Sequence, residues 1–200
     1  MGHHRYPLRI PRSAAGIRAQ ELRGGSSRSW WAKRWLEVLE RMGLGSRLGR
    51  GKNYALGGQV TKIELEGAKV FATVQGTRPE PYAIELDFRS LAPAARQRIL
   101  AALKAEPMLI ARLLADELPL EVEALFRAEG YDLFPGGKLD GKGRDARKYD
   151  MISQCSCPDY ANPCKHVSAV LLLLGEEIAR RPLTLLALRG IAEEDLGDED

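Results

Sequence analysis

The sequence has few soft metal-binding or redox-active side chains, since only three Cys and three His occur among its 200 residues. All three Cys and one His fall within the stretch CSCPDYANPCKH, which runs from Cys155 to His166. A disulfide would join two of these Cys and leave the third unpaired. The cysteine content therefore argues against a disulfide-stabilised secreted domain.

Long hydrophobic runs are also absent. The longest extends from Val167 to Leu174, is interrupted by Ser168, and is far shorter than the roughly 20 apolar residues that span a bilayer. The N-terminal stretch MGHHRYPLRIPRSAAG is basic but lacks the continuous apolar segment of a secretory signal. We therefore expect a cytoplasmic protein with no membrane partner.

Sequence motifs for catalysis are missing as well. There is no paired nucleophile and base, no dinucleotide-binding fingerprint and no carboxylate cluster for two metal ions. The glycine-rich stretch LGSRLGRGKNYALGG departs from the phosphate-binding Walker pattern, because Ser46 replaces its first Gly and Asn53 replaces its Ser or Thr. We predict that the protein is not an enzyme and takes no small-molecule substrate.

The net charge of +3 is small, but the charge is unevenly distributed. Residues 1–53 contain twelve Lys or Arg and three Glu, whereas residues 193–200 contain six acids and no base. This polarity indicates either a polyanionic partner for the basic N-terminal part or an acidic tail that competes with one. A solvated, disordered N-terminus explains the same composition.

The hydrophobic periodicity predicts an α+β fold. Ser29 can cap a helix that ends before Gly43. The apolar stripe along this helix, which includes Trp31 and Trp35, is typical of a helix packed on a core rather than of tryptophans that stack on bases. The segment thus predicts an N-terminal core helix.

Alternation of side chains then predicts a three-stranded antiparallel meander. Two alternating segments flank the turn EGAK at 66–69, which is typical of a β-hairpin. A third alternating segment, 82–88, follows the stretch GTRP. From 91 to 130 the pattern becomes helical, with Pro93, Pro107 and Pro119 near the expected helix starts.

The cysteine-rich stretch has the composition of a metal site. In an extended Cys155-Ser156-Cys157 both sulfurs point to one side, and Pro158-Asp159 can start a turn. We expect Asn162 to cap a helix whose first residue is Pro163, which would place Cys164 and His166 at the helix N-terminus. Three Cys and one His suit a tetrahedral structural zinc site. A disulfide and a Cys-His nucleophilic pair are the alternatives. The disulfide would leave one Cys unpaired and conflicts with a cytosolic location, and i and i+2 residues of a helix do not face each other.

The ligand spacing, Cys-x-Cys and then, after six residues, Cys-x-His, resembles the SWIM zinc finger. SWIM fingers accompany helicase-like ATPases of the Swi/Snf type, Mutator-class transposases and other proteins, and are thought to bind DNA or proteins. The stretches SWWAKRWLEVLE, the RGKNYALGGQV loop, VQGTRPEPY and the LRG at Leu188–Gly190 make most of the chain similar to the standalone bacterial SWIM zinc finger proteins. The resemblance implies one zinc ion at Cys155, Cys157, Cys164 and His166.

Six segments follow from these patterns. They are a basic extended arm (1–28), a helix with an antiparallel sheet (29–90), a helical segment (91–134), a basic loop (135–148), a SWIM zinc finger with a short strand or turn and a C-terminal helix (149–190), and an acidic tail (191–200).

Basic residues around the predicted finger suggest its ligand. Lys165 lies between two zinc ligands, and Arg144, Arg147 and Lys148 precede the finger. Such residues contact phosphates without much base specificity. We therefore expect a non-enzymatic zinc-binding module that binds nucleic acid, with DNA favoured over RNA, in a helicase-associated context. The alternative is a protein-interaction scaffold or accessory subunit for a Swi/Snf-type helicase-like ATPase, because a net charge of +3 is modest for a dedicated DNA-binding protein.

Overall fold

The computed structural model describes residues 10–20, 29–135 and 150–197, and its described part has an α+β fold. One antiparallel sheet of four strands is combined with seven α-helices. In chain order the elements are α1 (Trp30–Arg41), α2 (Ser46–Leu56), β1 (Val60–Glu66), β2 (Lys69–Val74), β3 (Tyr82–Phe88), α3 (Pro93–Lys104), α4 (Pro107–Leu114), α5 (Leu120–Ala128), β4 (Met151–Cys155), α6 (Lys165–Arg180) and α7 (Leu183–Ala187), followed by a 3-10 helix (Glu193–Leu196).

The first three strands form the predicted meander. In the β1–β2 hairpin Glu66 pairs with Lys69, and Gly67 takes the positive φ of 56° that this tight turn requires. Alternate residues of β2 and β3 are buried, as the alternation in the sequence predicts. The hairpin and the third strand are therefore confirmed.

A fourth strand extends the meander beyond the prediction. The strand β4 pairs antiparallel with β3, with Ile84 opposite Cys155 and Phe88 opposite Met151. The finger's own strand thus completes the sheet of the preceding segment. Local pattern alone does not reveal this pairing, because the two strands are separated in the chain by three helices.

The helix α6 lies at the centre of the core and is buried along most of its length. The predicted N-terminal helix packs against it, and Ser29 caps that helix by accepting from the Ala32 N–H at 3.4 Å. The Trp35 indole N–H donates to the Leu171 carbonyl at 3.0 Å. Trp30 and Trp31 also donate to backbone carbonyls. The tryptophans therefore belong to the core and do not form a stacking surface.

The RGKNYALGGQV segment is a helix over most of its length, so its interpretation as a loop is wrong. The helix α2 packs directly on α6, and a Cβ added at Gly51 would lie 2.5 Å from the Ser168 Cβ. Glycine usually lowers helix propensity, but here it allows two helices to approach closely. Tertiary packing has overridden the local preference of the sequence.

Residues 10–20 run along the body of the protein. Ile17 forms an antiparallel bridge with Val60, and the Ala19 N–H donates to the Ala55 carbonyl at 3.0 Å. The remaining arm residues, 1–9 and 21–28, lie outside the described residues. So do residues 198–200 of the acidic tail, whereas Asp195 pairs with Arg96 at 2.5 Å.

Arg189, in the LRG stretch, is a buried junction between distant segments, with only 1% of its surface exposed. Its guanidinium donates to the carbonyls of Leu133 (3.2 Å) and Arg89 (2.9 Å) and lies 3.5 Å from an oxygen of Asp150. These partners lie after α5, after β3 and before β4. Burial lowers the pKa of Arg189, although Asp150 counteracts the shift. The LRG stretch therefore ties the ends of three elements together.

Among the residues described, no helix has the length and apolar character needed to cross a bilayer.

Candidate metal centre

Four side chains converge where β4 approaches the start of α6. The ligand atoms of Cys155, Cys157, Cys164 and His166 all lie within 4.8 Å of one another. Cys155 ends β4, whereas Cys164 immediately precedes α6 and His166 lies in its first turn. The structure therefore brings together the complete ligand set that the sequence predicts.

The sheet positions the first two cysteines. Beyond Cys155, Ser156 continues the pairing with β3, because its N–H donates to the Ala83 carbonyl and its Oγ accepts from the Ala83 N–H, both at 3.0 Å. The chain between the two Cys is therefore extended and held by the edge of β3. This geometry directs both sulfurs toward α6, as expected from Cys-x-Cys spacing.

The predicted helix start is wrong by two residues. The helix α6 begins at Lys165, with Cys164 at the N-cap position, and Pro163 follows Asn162 through a cis peptide bond. The Asn162 side chain does not cap the helix. It donates to the Ser153 carbonyl at 2.6 Å and accepts from the Ser153 hydroxyl at 2.7 Å. Asn162 therefore joins the loop to β4.

The thiols have unequal acidity. Hydrogen bonding from Cys155, with help from His166 and the Val167 backbone N–H, lowers the pKa of Cys164 to about 4. The same hydrogen bond raises the pKa of Cys155, and desolvation raises that of Cys157. Hydrogen bonding within the cluster thus favours the thiolate form of Cys164 over that of Cys155. A divalent cation supplies the charge that stabilises three thiolates together.

The imidazole of His166 is clamped between two tyrosine rings. Its centroid lies 5.1 Å from that of Tyr54 on α2 and 4.7 Å from that of Tyr82 on β3. Gly76 leaves room for the Tyr82 ring, because a Cβ there would lie 2.3 Å from it. The contacts fix the orientation of the ring. Through Gly76 and Tyr54, the VQG and KNY stretches thus help to position a zinc ligand.

The spacing of donor atoms fits a tetrahedral zinc ion. His166 Nδ1 lies 3.7 Å from Cys164 Sγ and 3.9 Å from Cys155 Sγ. Zinc bonds of about 2.3 Å to sulfur and about 2.0 Å to nitrogen place such atoms roughly 3.6 Å apart in a tetrahedron. Within the described residues, the buried His166 Nε2 has no hydrogen-bond partner. Because Nδ1 is the ring nitrogen that lies close to two thiols, it is the atom positioned to bind the metal, and the donor set fits one structural zinc ion.

The predicted basic residues are only partly located. Lys165 begins α6, and its Nζ lies 5.8 Å from the centroid of the Tyr54 ring. Arg144, Arg147 and Lys148 lie outside the described residues. The helix α2 adds further positive charge beside the finger, and Arg47 donates to the Pro163 carbonyl at 3.2 Å. Sequence reasoning missed this contribution because it interpreted α2 as a loop. The contributing residues are Arg47, Arg50 and Lys52.

A groove of about 1050 Å³ lies apart from these ligands, at the other end of α6. Its floor includes Ile63 and Leu65 of β1 and Leu173 of α6, and charged residues of both signs form its rim. No zinc ligand lines it. The groove is therefore separate from the metal centre.

A closed Cys3His set built from a strand, a turn and a helix N-terminus defines a small structural zinc finger. The family model of the SWIM zinc finger matches residues 148–175, so the chain carries a SWIM zinc finger. The chain is also similar to the uncharacterized protein Rv2102 of Mycobacterium tuberculosis, at 39% identity over 181 residues. The alignment covers 90% of this chain and 62% of that protein, so the chain spans less than two thirds of its relative's length. No solved structure matches the chain significantly.

Proposed function

We propose that the protein is a non-enzymatic, zinc-stabilised module that binds DNA through phosphate contacts. The observation that carries the proposal is a group of four basic side chains on α2 and at the start of α6. We call this group the basic surface, and it consists of Arg47, Arg50, Lys52 and Lys165.

The basic surface carries positive charge that is not neutralised by a neighbouring acidic side chain among the described residues. None of its four side chains forms an ion pair within the described parts of the chain. By contrast, Arg98 pairs with Glu129 at 2.6 Å, and Arg180 pairs with Glu177 at 2.6 Å. Uncompensated positive charge beside the finger favours a polyanionic ligand.

The finger supports this surface by fixing its parts relative to one another. Arg47 contacts the carbonyl of Pro163, directly before the ligand Cys164. Lys165 follows that ligand and lies near Tyr54, which in turn packs on His166. The ligand set therefore holds the start of α6 against α2. Four protein ligands leave zinc no open position for a substrate, which supports a role in binding rather than hydrolysis.

Titration of labelled duplex DNA at several salt concentrations tests the proposal. We expect the affinity to fall as salt rises, because bound phosphates release counterions. The double variant Arg50→Ala with Lys165→Ala should weaken binding and reduce the magnitude of the salt slope by about 2.

The matched control is Lys33→Ala. Lys33 is an exposed lysine on α1, and α1 contacts α6 near Ile178, far from the finger. This variant should bind like the wild type. If the wild-type protein does not bind at low salt, or if binding does not depend on salt, the proposal is wrong.

A pull-down from native lysate, combined with the titration, separates this function from a scaffold role. A helicase-like ATPase that is retained from native lysate after nuclease treatment, combined with no DNA binding by the purified protein, would favour the accessory-subunit alternative.

A further inference from the structure

The finger presents one aromatic side chain entirely to solvent. Tyr160 lies between the ligands Cys157 and Cys164 and is fully exposed. The other tyrosines of the finger region, Tyr54 and Tyr82, are buried against His166. An aromatic ring usually buries much of its surface, so Tyr160 is a candidate for contact with a ligand.

The loop that carries Tyr160 is held at several points. The side chain of Asp159 accepts from the Ala161 N–H at 3.1 Å, which fixes the turn on either side of the tyrosine. Asn162 is bonded to Ser153 of β4. Both ends of the loop enter the metal centre. The backbone of the loop therefore loses little conformational freedom on binding.

Positive charge flanks the same loop. Arg47 donates to the Pro163 carbonyl, three residues after Tyr160, and Lys165 lies two residues further on. Arg50 follows Arg47 by one helical turn on α2 and is exposed. Asp159, the acidic residue of the loop, accepts a hydrogen bond from the Ala161 N–H within the same turn. The loop therefore combines an exposed ring with nearby sites for phosphates.

We propose that Tyr160 stacks on an unpaired base of single-stranded nucleic acid whose phosphates lie along the basic surface. The inference rests on the proposed nucleic-acid binding and adds the class of ligand. One ring is sufficient for a base stack, whereas it provides much less than the roughly 800 Å² per partner of a stable protein interface. A duplex keeps the faces of its bases stacked inside and offers them less readily to the ring.

The test compares full-length wild-type and variant proteins loaded with zinc. Fluorescence anisotropy measures binding to labelled oligothymidylate and oligouridylate of about 15 nucleotides and to a DNA duplex of equal length. Tyr160→Ala should weaken single-strand binding roughly 5- to 100-fold and leave duplex binding within about twofold. Tyr160→Phe keeps the ring and should restore the single-strand affinity.

Zinc content verifies that each variant has kept its finger, and Tyr160→Leu provides a second non-aromatic variant. The two single strands distinguish DNA from RNA as the ligand. Wild-type affinity of Tyr160→Ala for both single strands overturns the stacking role but leaves the proposed phosphate binding intact. Equal losses on single strand and duplex also overturn it. A wild-type protein that binds none of the three probes overturns both proposals.

Discussion

Gly51 of α2 faces Ser168 of α6 so closely that an added Cβ would lie 2.5 Å from the serine Cβ and 3.0 Å from the Lys165 carbonyl oxygen. Neither neighbour is the flexible end of a long side chain, so the helices must separate to admit a methyl group. Because α6 begins at the metal centre, this contact connects helix packing with the position of the zinc ligands.

Gly51→Ala should therefore destabilise the protein by about 1 to 3 kcal/mol, as overpacked cores do. Gly49→Ala is the matched control in the same helix, since no atom lies within 4 Å of its added Cβ. It should stabilise the protein by about 0.5 to 1 kcal/mol through helix propensity. Chemical denaturation of both variants measures the difference. Equal effects of the two substitutions would contradict the close-contact interpretation.

The metal content itself is a second prediction. Protein purified without added metal should contain about one zinc per chain, and Cys164→Ser should lose it together with solubility. The matched control is Tyr160→Phe, which changes a fully exposed side chain between two ligands and removes neither a thiol nor an imidazole, so it should retain the metal. Elemental analysis of the purified proteins decides the question. A full complement of zinc in Cys164→Ser would refute the assignment of this ligand.

A third prediction concerns the ring that supports His166. A Cβ at Gly76 would lie 2.3 Å from the Tyr82 ring, which packs 4.7 Å from the imidazole centroid. Gly76→Ala should displace that ring and loosen the histidine, so that zinc is lost to a chromogenic chelator about tenfold faster. Gly49→Ala again serves as the control and should release zinc at the wild-type rate. An unchanged rate in Gly76→Ala would show that the clamp does not affect metal retention.

The fourth prediction compares a buried arginine with an exposed one. Arg189→Met removes a guanidinium that donates hydrogen bonds to the carbonyls of Leu133 and Arg89. Buried carbonyls that lose their donors lower the free energy of unfolding. We expect a loss of about 3 to 5 kcal/mol in stability. Arg180→Ala removes an exposed pair with Glu177 and should cost less than about 1 kcal/mol. Thermal unfolding of both variants tests this ranking, and comparable losses would contradict it.

The sequence predicts the elements whose causes are local. Ser29 precedes an amphipathic segment and caps α1, and alternation around Gly67 gives the hairpin. The zinc ligands were found for the same reason, because their spacing and chemistry are contained in one short stretch. The α+β class follows from these local patterns together.

The features that the sequence did not predict depend on partners far along the chain. The helix α2 requires a glycine at the point where α6 approaches it. The local sequence of α2 does not show this requirement, because it depends on the position of α6. Asn is a common N-cap residue, but the side chain of Asn162 forms its hydrogen bonds with Ser153 of β4 instead. The pairing of β4 with β3 likewise depends on tertiary structure. Local propensity leaves several conformations open to a segment, and contacts with distant residues determine which of them forms.

The order of the sheet has a consequence for biosynthesis. A nascent chain emerges with its N-terminal part first, so β3 is exposed before α3, α4 and α5 have been translated. During that interval the edge of β3 lacks its neighbour, and unpaired edges promote association between chains. Emergence of β4 covers this edge and delivers Cys155 opposite Ile84. A single pairing step therefore both protects the exposed edge of β3 and positions the first of the four metal ligands.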